Sequence, residues 1–171
     1  MSWHKISTMR AVSNTSPLSN LATIGRLPLL RSQFSEIWIP TAVRQELDAH
    51  PDPAALSAIQ TALRESWIRC ASPAGSHLLS VLSAHLHRGE AEAIALAAEL
   101  KADVVLIDEQ EGRELATQAG LCVTGVLGIL LRAKHNGQIP ALQPEIQSLR
   151  SKARFFIHPS LEAQVLAAAG E

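Results

Sequence analysis

The sequence has almost no excess charge of either sign. Its 15 lysines and arginines nearly balance its 16 aspartates and glutamates, which leaves a formal net charge of −1. A domain that holds nucleic acid through its overall field is normally basic, so any polyanionic partner must be bound locally. The chain also lacks an apolar run long enough for a signal peptide or a membrane span. We therefore expect a cytoplasmic protein that does not engage a membrane.

Cysteine is scarce, and several catalytic motifs are missing. Cys70 and Cys122 are the only cysteines, and both lie in apolar, strand-like runs without metal-ligand spacing. We expect two buried free thiols rather than a disulfide framework. The chain has no G-x-S-x-G elbow, no G-x-G-x-x-G after a strand and no P-loop, which argues against serine hydrolases, dinucleotide enzymes and P-loop NTPases.

Strand-like and helix-like segments alternate along the chain. Its 171 residues, 47% of them hydrophobic, suit one domain with a full-sized core. Apolar runs predict strands at residues 10–14, 36–39, 67–70, 104–107 and 121–124. Strands that alternate with helices predict an α/β fold, with a central parallel sheet covered by helices on both faces. The uninterrupted run at 104–107 predicts a strand that is buried on both sides.

Other features are predicted from local signals. We expect Ser16 to be a helix N-cap with Pro17 in the first helical position. Residues 76–87 are predicted to be helical, residues 155–157 to form a last edge strand, and Pro159 to begin a terminal helix. Residues 1–9 are expected to be an extension of a domain that spans 10–171.

An acidic residue ends the run at 104–107. Asp108 stands where a central parallel strand leaves the sheet, and ligands of open α/β sheets bind at that end of the strands. Glu109 and Glu111 follow directly. The alternative for Asp108 is a cap of the next helix, and for the two glutamates a solvated surface.

Three more polar residues occupy comparable positions. Asn14 ends the first strand, Glu46 lies on the helix predicted after residue 40, and Glu90 begins the helix predicted at 89–101. Helical spacing places Glu46 at the margin of a buried stripe, where it can point toward the sheet, and turns Glu90 inward but Glu92 to another face. The alternative is that both are ordinary surface acids, with Glu90 favoured by the helix dipole.

These residues, and the phrases that contain them, resemble the PIN-domain ribonucleases, most closely the branch related to the toxins of toxin–antitoxin pairs. The phrases occur in order over residues 12–139, and residues 140–171 are anchored less firmly. They are V-S-N-T-S-P-L from Val12, I-P-T-A-V-R-Q-E-L from Ile39, R-G-E-A-E-A-I-A-L-A from Arg88, V-L-I-D-E-Q-E-G-R from Val105 and G-V-L-G-I-L-L-R-A-K from Gly125.

The resemblance implies a three-layer α/β/α fold whose acids hold Mg²⁺ or Mn²⁺ and hydrolyse RNA. Such ions prefer oxygen ligands, and a bound ion stabilises charge that builds on a phosphate. The implied catalytic and metal-binding residues are Asn14, Glu46, Glu90 and Asp108, with Glu109 and Glu111 as further metal ligands. Thr15 and Ser16 are candidate substrate-binding residues because a helix begins there, with helix capping as the first interpretation. Arg113 is a candidate to contact RNA or to steady the acids, with a structural salt bridge as the alternative.

Asn14 departs from the pattern of the family, which typically has aspartate there. An amide offers a carbonyl oxygen without charge, so weaker metal binding is expected. The resemblance also implies a small antitoxin partner and a homodimer, formed through the apolar helix at 125–134 or the helices near the start. Two other functions stay open: a PIN-like module that binds RNA or a protein with little or no catalysis, and a metal-dependent phosphatase.

Overall fold

The computed structural model describes residues 9–171 of the chain. Within them, one parallel sheet has the strand order β3-β2-β1-β4-β5. Its strands are β1 (Arg10–Ser13), β2 (Glu36–Ile39), β3 (Ile68–Cys70), β4 (Val104–Leu106) and β5 (Val123–Thr124). The predicted α/β fold with a central parallel sheet is confirmed. The predicted extension, residues 1–9, lies outside the described residues except for Met9.

Ten helices surround the sheet in the described part of the chain. They are α1 (Thr15–Thr23), α2 (Pro28–Gln33), α3 (Thr41–Asp48), α4 (Pro53–Arg64), α5 (His77–Leu82), α6 (Arg88–Glu99), α7 (Gln110–Gln118), α8 (Val126–His135), α9 (Gln143–Ala153) and α10 (Pro159–Ala169). None of the helices in residues 9–171 has the length and apolar character needed to cross a bilayer.

The sheet separates two hydrophobic cores. Alternate residues of a strand point to opposite faces, so Ala11 and Leu106 enter one core while Val12 and Val105 enter the other. The first core is completed by α1 to α4 and α8 to α10, and the second by α5 to α7. Both faces of β1 and β4 are therefore covered, which explains the uninterrupted apolar run at 104–107.

The last part of the chain belongs to the main core. Ile146, Leu149 and Ile157 are buried with residues of the sheet. Arg26, just after α1, donates two hydrogen bonds of 2.6 and 3.0 Å to the buried carboxylate of Glu145 on α9. Residues 140–171 are thus tied to the helix that follows the central strand.

Three local predictions are wrong. Ser16 lies within α1, because the extended backbone of Asn14 makes that residue the N-cap. The helix predicted at 76–87 ends at Leu82. Residues 155–157 form no strand. Instead, the Phe155 N–H donates to the Leu149 carbonyl at 3.0 Å and closes α9, after a left-handed Arg154.

The two cysteines are exposed, contrary to the expected burial. Cys70 ends β3 and Cys122 precedes β5, and these are the two edge strands of the sheet. An edge strand has a neighbour on one side only, so apolar sequence alone does not bury its end residues.

The expected dimer face on α8 is also corrected in part. Val126, Ile129, Leu130 and Ala133 are buried in the core of their own chain. These residues are therefore used within one molecule and do not offer a free self-complementary surface.

Candidate active site at the ends of the central strands

The carboxyl ends of β1 and β4 lie side by side. Ser13 is paired with Leu106, and the Asn14 N–H continues the ladder by donating to the Leu106 carbonyl at 3.0 Å. The backbone then leaves the sheet at both places, and α1 and α7 begin immediately afterwards. Asn14 and the acidic stretch from Asp108 are brought together by this pairing, as parallel topology predicts.

Asn14 lies at the centre of the polar contacts. Its side chain is 4% exposed, and its amide nitrogen donates to Glu109 Oε2 at 3.2 Å. The amide nitrogen is thereby used, and the carbonyl oxygen faces Gly89 at the start of α6, 3.4 Å from the position that a Cβ would occupy there. Asn14 thus links the stretch after β4 with the start of α6.

Glu46 reaches the same place from α3. The residue is exposed overall, but its Oε1 lies 2.7 Å from the position of a Cβ on Gly89. The Thr15 hydroxyl donates to Oε2 of the same carboxylate. Glu46 and Asn14 therefore meet at Gly89, and the hydroxyl of Thr15, a predicted substrate-binding residue, holds the Glu46 carboxylate.

Asp108 is held by hydrogen bonds on both carboxylate oxygens. Oδ1 accepts from the Val126 N–H at 2.7 Å, and Oδ2 accepts from the Ser16 hydroxyl at 3.0 Å and the Asn20 amide at 3.3 Å. Asp108 does not cap the next helix, which was the alternative interpretation; it accepts instead from the first N–H of α8, 18 residues further on. The N-cap of α7 is Glu109.

Two glutamates in the first half of α6, Glu90 and Glu92, are both buried, at 8% exposure each. Glu90 Oε1 lies 3.0 Å from the position of a Cβ on Gly112 of α7, so this side chain does turn inward. Glu92 lies on another face of α6, as expected, but it is also buried, and it accepts hydrogen bonds from Arg88 at 2.6 Å and from the Ala42 N–H at 3.3 Å. Glu92 therefore joins α6 to the helix that carries Glu46.

The remaining predicted residues differ in their distance from this centre. Glu109 contacts Asn14. Glu111 is exposed, and its negative charge raises the pKa of Glu90. Arg113 donates to the Ile107 carbonyl at 2.8 Å, which fixes the backbone just before Asp108. Arg113 thus has a structural contact, but with a carbonyl and not with an acid.

Burial and mutual repulsion raise the pKa of two of these acids. Burial raises the pKa of Asp108, although the hydrogen bonds from Val126 and Ser16 oppose it. Burial also raises the pKa of Glu90, and the charge of Glu109 raises it further. Glu109 is therefore close enough to Asp108 and Glu90 for its charge to disfavour their ionised forms. It lies nearer the centre of the site than its position after Asp108 in the sequence indicates.

A model of the PIN-domain family, described as DUF3368, matches residues 10–171. The chain belongs to this PIN-domain family. PIN domains are typically nucleases, generally use divalent metal ions and generally bind RNA. The matched region includes residues 140–171, which lie outside the sequence phrases that resemble the family.

Other comparisons add little to the family assignment. The fold is similar to that of a PilT N-terminus domain protein from the hyperthermophilic archaeon Sulfolobus solfataricus P2, with 19% sequence identity and a TM-score of 0.49. The similarity covers 73% of this chain and 93% of that one. No curated protein has a significant match to the sequence.

The oxygen atoms at this site of the PIN domain are of the kind that a hard divalent cation binds. The described residues do not place them as a complete set of metal ligands. Carboxylate and amide oxygens are the ligands that Mg²⁺ and Mn²⁺ prefer. Asn14 and Glu46 share the space beside Gly89, which a Cβ would fill. Among residues 9–171, however, no three acidic, histidine or cysteine side chains form a ready metal-binding group. Hydrogen bonds from Thr15, Ser16 and Asn14 hold these acids instead.

Some residues of the site were missed by the sequence analysis. Asn20 donates both to Asp108 and to the Ser16 hydroxyl, and its position four residues after Ser16 on one helix face was the available signal. The contact of Glu92 with α3 had no such signal, because it joins residues 50 positions apart.

Proposed function

We propose that this PIN domain is a metal-dependent endoribonuclease that hydrolyses RNA phosphodiester bonds. The observation that carries the proposal is the position of Asn14, which contacts Glu109 and shares the space beside Gly89 with Glu46. Three oxygen-bearing side chains from three separate elements thereby meet at the carboxyl end of the central strands. Family membership supports the reaction class.

Glu46, Glu109 and Asn14 would hold Mg²⁺ or Mn²⁺, with Glu90 beside them and Glu111 more distant. A bound ion of this kind lowers the pKa of water and stabilises charge that develops on a phosphate. Asp108 keeps the start of α1 and the start of α8 in place through its three hydrogen bonds. The hydroxyls of Thr15 and Ser16, which donate to Glu46 and Asp108, are the groups beside these carboxylates that would donate to a phosphate oxygen of the substrate.

The nuclease assay compares purified protein with Mn²⁺ and with excess EDTA on single-stranded and structured RNA. Cleavage that depends on Mn²⁺ is expected, and Glu46→Gln or Glu109→Gln should reduce it by about 10²-fold or more. Glu65→Gln is the matched control, because Glu65 makes only an exposed pair with Arg31. Cleavage that is unaffected by EDTA and by both site variants would rule out the mechanism.

We further propose that the nuclease is the toxin of a toxin–antitoxin pair and acts in the cytoplasm. The sequence phrases that resemble that branch support this assignment. Expression of the chain should arrest growth, and co-expression of a small neighbouring gene that encodes a DNA-binding protein should relieve the arrest. A chain that leaves growth unchanged while it cleaves RNA in vitro argues against the toxin role. Light scattering of the pure protein tests the expected homodimer.

A second function is favoured by one residue. Asn14 supplies no charge to a cation, which favours a PIN module that binds RNA or a protein without cutting it. Calorimetric titration with Mn²⁺ distinguishes the two functions, because the nuclease requires a measurable site and the binding module does not.

A further inference from the structure

Three glycines lie against three different acids of the site. A Cβ on Gly89 would lie 2.7 Å from Glu46 Oε1, a Cβ on Gly112 would lie 3.0 Å from Glu90 Oε1, and a Cβ on Gly125 would lie 2.5 Å from Asp108 Oδ1. These distances are shorter than a Cβ tolerates without a shift of its neighbour. Each carboxylate therefore occupies space that the absence of a side chain leaves open.

Backbone conformation does not explain these glycines. Gly25, Gly120, Gly137 and Gly170 have positive φ angles between 70° and 82°, and a Cβ on any of them would meet nothing within 4 Å. The three glycines beside the acids have no positive φ, so any L-residue can adopt their backbone conformation. Gly25, Gly120, Gly137 and Gly170 thus meet a conformational requirement, whereas the three glycines beside the acids leave space for carboxylates.

Gly89 has the most informative surroundings. It lies in the first turn of α6, and the nearest atom to its missing Cβ is the free end of a flexible glutamate rather than backbone. The carbonyl oxygen of Asn14 lies on the same side at 3.4 Å. A methyl group there would displace the Glu46 carboxylate by rotation of its side chain, at little cost to the fold.

We propose that Gly89 is a positioning residue, whose missing side chain sets where the Glu46 carboxylate stands relative to Asn14. Its effect on metal binding rests on the proposed function, whereas its effect on the position of Glu46 does not. The surroundings of Gly125 differ, because the nearby Asp108 is short and tied to the Val126 N–H and because the Ile107 carbonyl lies at 3.1 Å. A methyl group at Gly125 strains the fold as well as the site.

The test is Gly89→Ala in the full chain. Alanine favours a helix over glycine, so the melting temperature should be equal to or higher than that of the wild type. The affinity for Mn²⁺ by calorimetry should fall by about 10- to 100-fold, the range typical when a residue that supports a metal ligand is changed. Gly75→Ala is the control: Gly75 is exposed, lacks a positive φ and has open space at its Cβ position. It should alter neither quantity.

A double-mutant cycle shows whether Gly89 acts through Glu46. In a Glu46→Ala background the carboxylate that lies 2.7 Å from the Cβ position is gone, and the Asn14 oxygen at 3.4 Å is only in tight contact, so Gly89→Ala should cause no further loss of Mn²⁺ affinity. An equal additional loss in that background would overturn the proposal. If Gly89→Ala alone does not fold, recovery of folding in the double variant attributes the clash to Glu46, and failure to recover overturns the assignment.

A metal-free measurement separates this proposal from the proposed function. In a crystal structure of metal-free Gly89→Ala, the Glu46 carboxylate should leave its place beside residue 89 and lose the Thr15 hydroxyl. A carboxylate that stays in place would overturn the positioning role. If the wild type binds no Mn²⁺ but the carboxylate moves as expected, the metal-dependent function fails while the positioning role stands.

Discussion

Asn14 places an uncharged amide where an aspartate would crowd another acid. Its nitrogen donates to Glu109, and its oxygen shares a space with Glu46. The amide nitrogen can donate to a carboxylate, which an ionised aspartate in this place could not do. Asn14 thus holds the Glu109 carboxylate at the site, at the cost of one negative charge that a cation would use.

The substitution Asn14→Asp tests whether this position exchanges a hydrogen bond to Glu109 for a negative charge that a cation would use. It replaces the hydrogen bond to Glu109 by repulsion between two carboxylates, so the metal-free protein should lose about 1–3 kcal/mol of unfolding free energy. Added Mn²⁺ should raise its melting temperature more than that of the wild type, because the ion gains an anionic ligand. Thermal unfolding with and without Mn²⁺ measures both effects. The exposed Asn136 provides the control Asn136→Asp, and a response to Mn²⁺ no larger than that control's contradicts the prediction.

Glu90→Gln should have an effect that depends on pH. Because the folded-state pKa of Glu90 is raised, ionisation of this buried group costs stability as the pH rises from the ordinary value of a glutamate through the raised pKa. Glutamine avoids that cost. The metal-free variant should therefore melt above the wild type at about pH 8 and should lose this advantage toward about pH 4. A constant difference across the pH range, or one that Glu65→Gln reproduces, would contradict this expectation.

Individual site residues were predictable where topology decides their place. Asn14 follows a strand and Asp108 follows the neighbouring strand, so sequence order and parallel pairing bring them together. The central position of Glu109 was less predictable, because it depends on the direction of one side chain where the backbone turns from β4 into α7. The contact of Asp108 with the Val126 N–H had no signal in the sequence, since that partner lies 18 residues further on.

At the scale of elements, Asp108 works as a connector. It joins the end of β4 to the first turns of α1 and α8 through a largely buried carboxylate. Hydrogen bonds to a charged group contribute more than neutral ones, and their loss leaves buried donors unpaired. The same residue that the sequence pattern marks as a metal ligand is thus part of the framework of the site.

Asp108→Ala should therefore destabilise the protein strongly even without metal. The expected loss is about 3 kcal/mol in unfolding free energy, measured by urea denaturation in EDTA. Asp48→Ala is the matched control, since Asp48 forms only an exposed pair with Arg44 in the same helix, worth about 0.5 kcal/mol or less. Equal losses in the two variants would show that Asp108 is not a structural connector.

Most elements were predictable from local pattern. The strand at 36–39 was predicted with the observed bounds, since β-branched and aromatic residues fit a half-buried strand. The edge strand predicted at 155–157 fails for a tertiary reason. Its backbone is used to end α9, and Phe156 is left 81% exposed. Apolar letters alone cannot distinguish these two outcomes.

At the scale of the whole molecule, residues 140–171 complete the core beneath α1. Glu145→Gln should weaken this connection, because it leaves Arg26 without its buried anionic partner. We expect a loss of about 1–3 kcal/mol in unfolding free energy by urea denaturation. Glu162→Gln is the comparison, since Glu162 also pairs with an arginine but is more exposed. An equal loss in both would show that burial of Glu145 adds nothing.

The pairing of β1 with β4 has a consequence for synthesis. The contacts between Ser16 and Asp108 and between Asn14 and Glu109 join positions 92 and 95 residues apart. A ribosome releases the early residues long before their partners, and closure of so long a loop is a slow, late event. A nascent chain that ends before β4 therefore carries Asn14 and Glu46 without Asp108 and Glu109, so the site can assemble only after β4 has been synthesised.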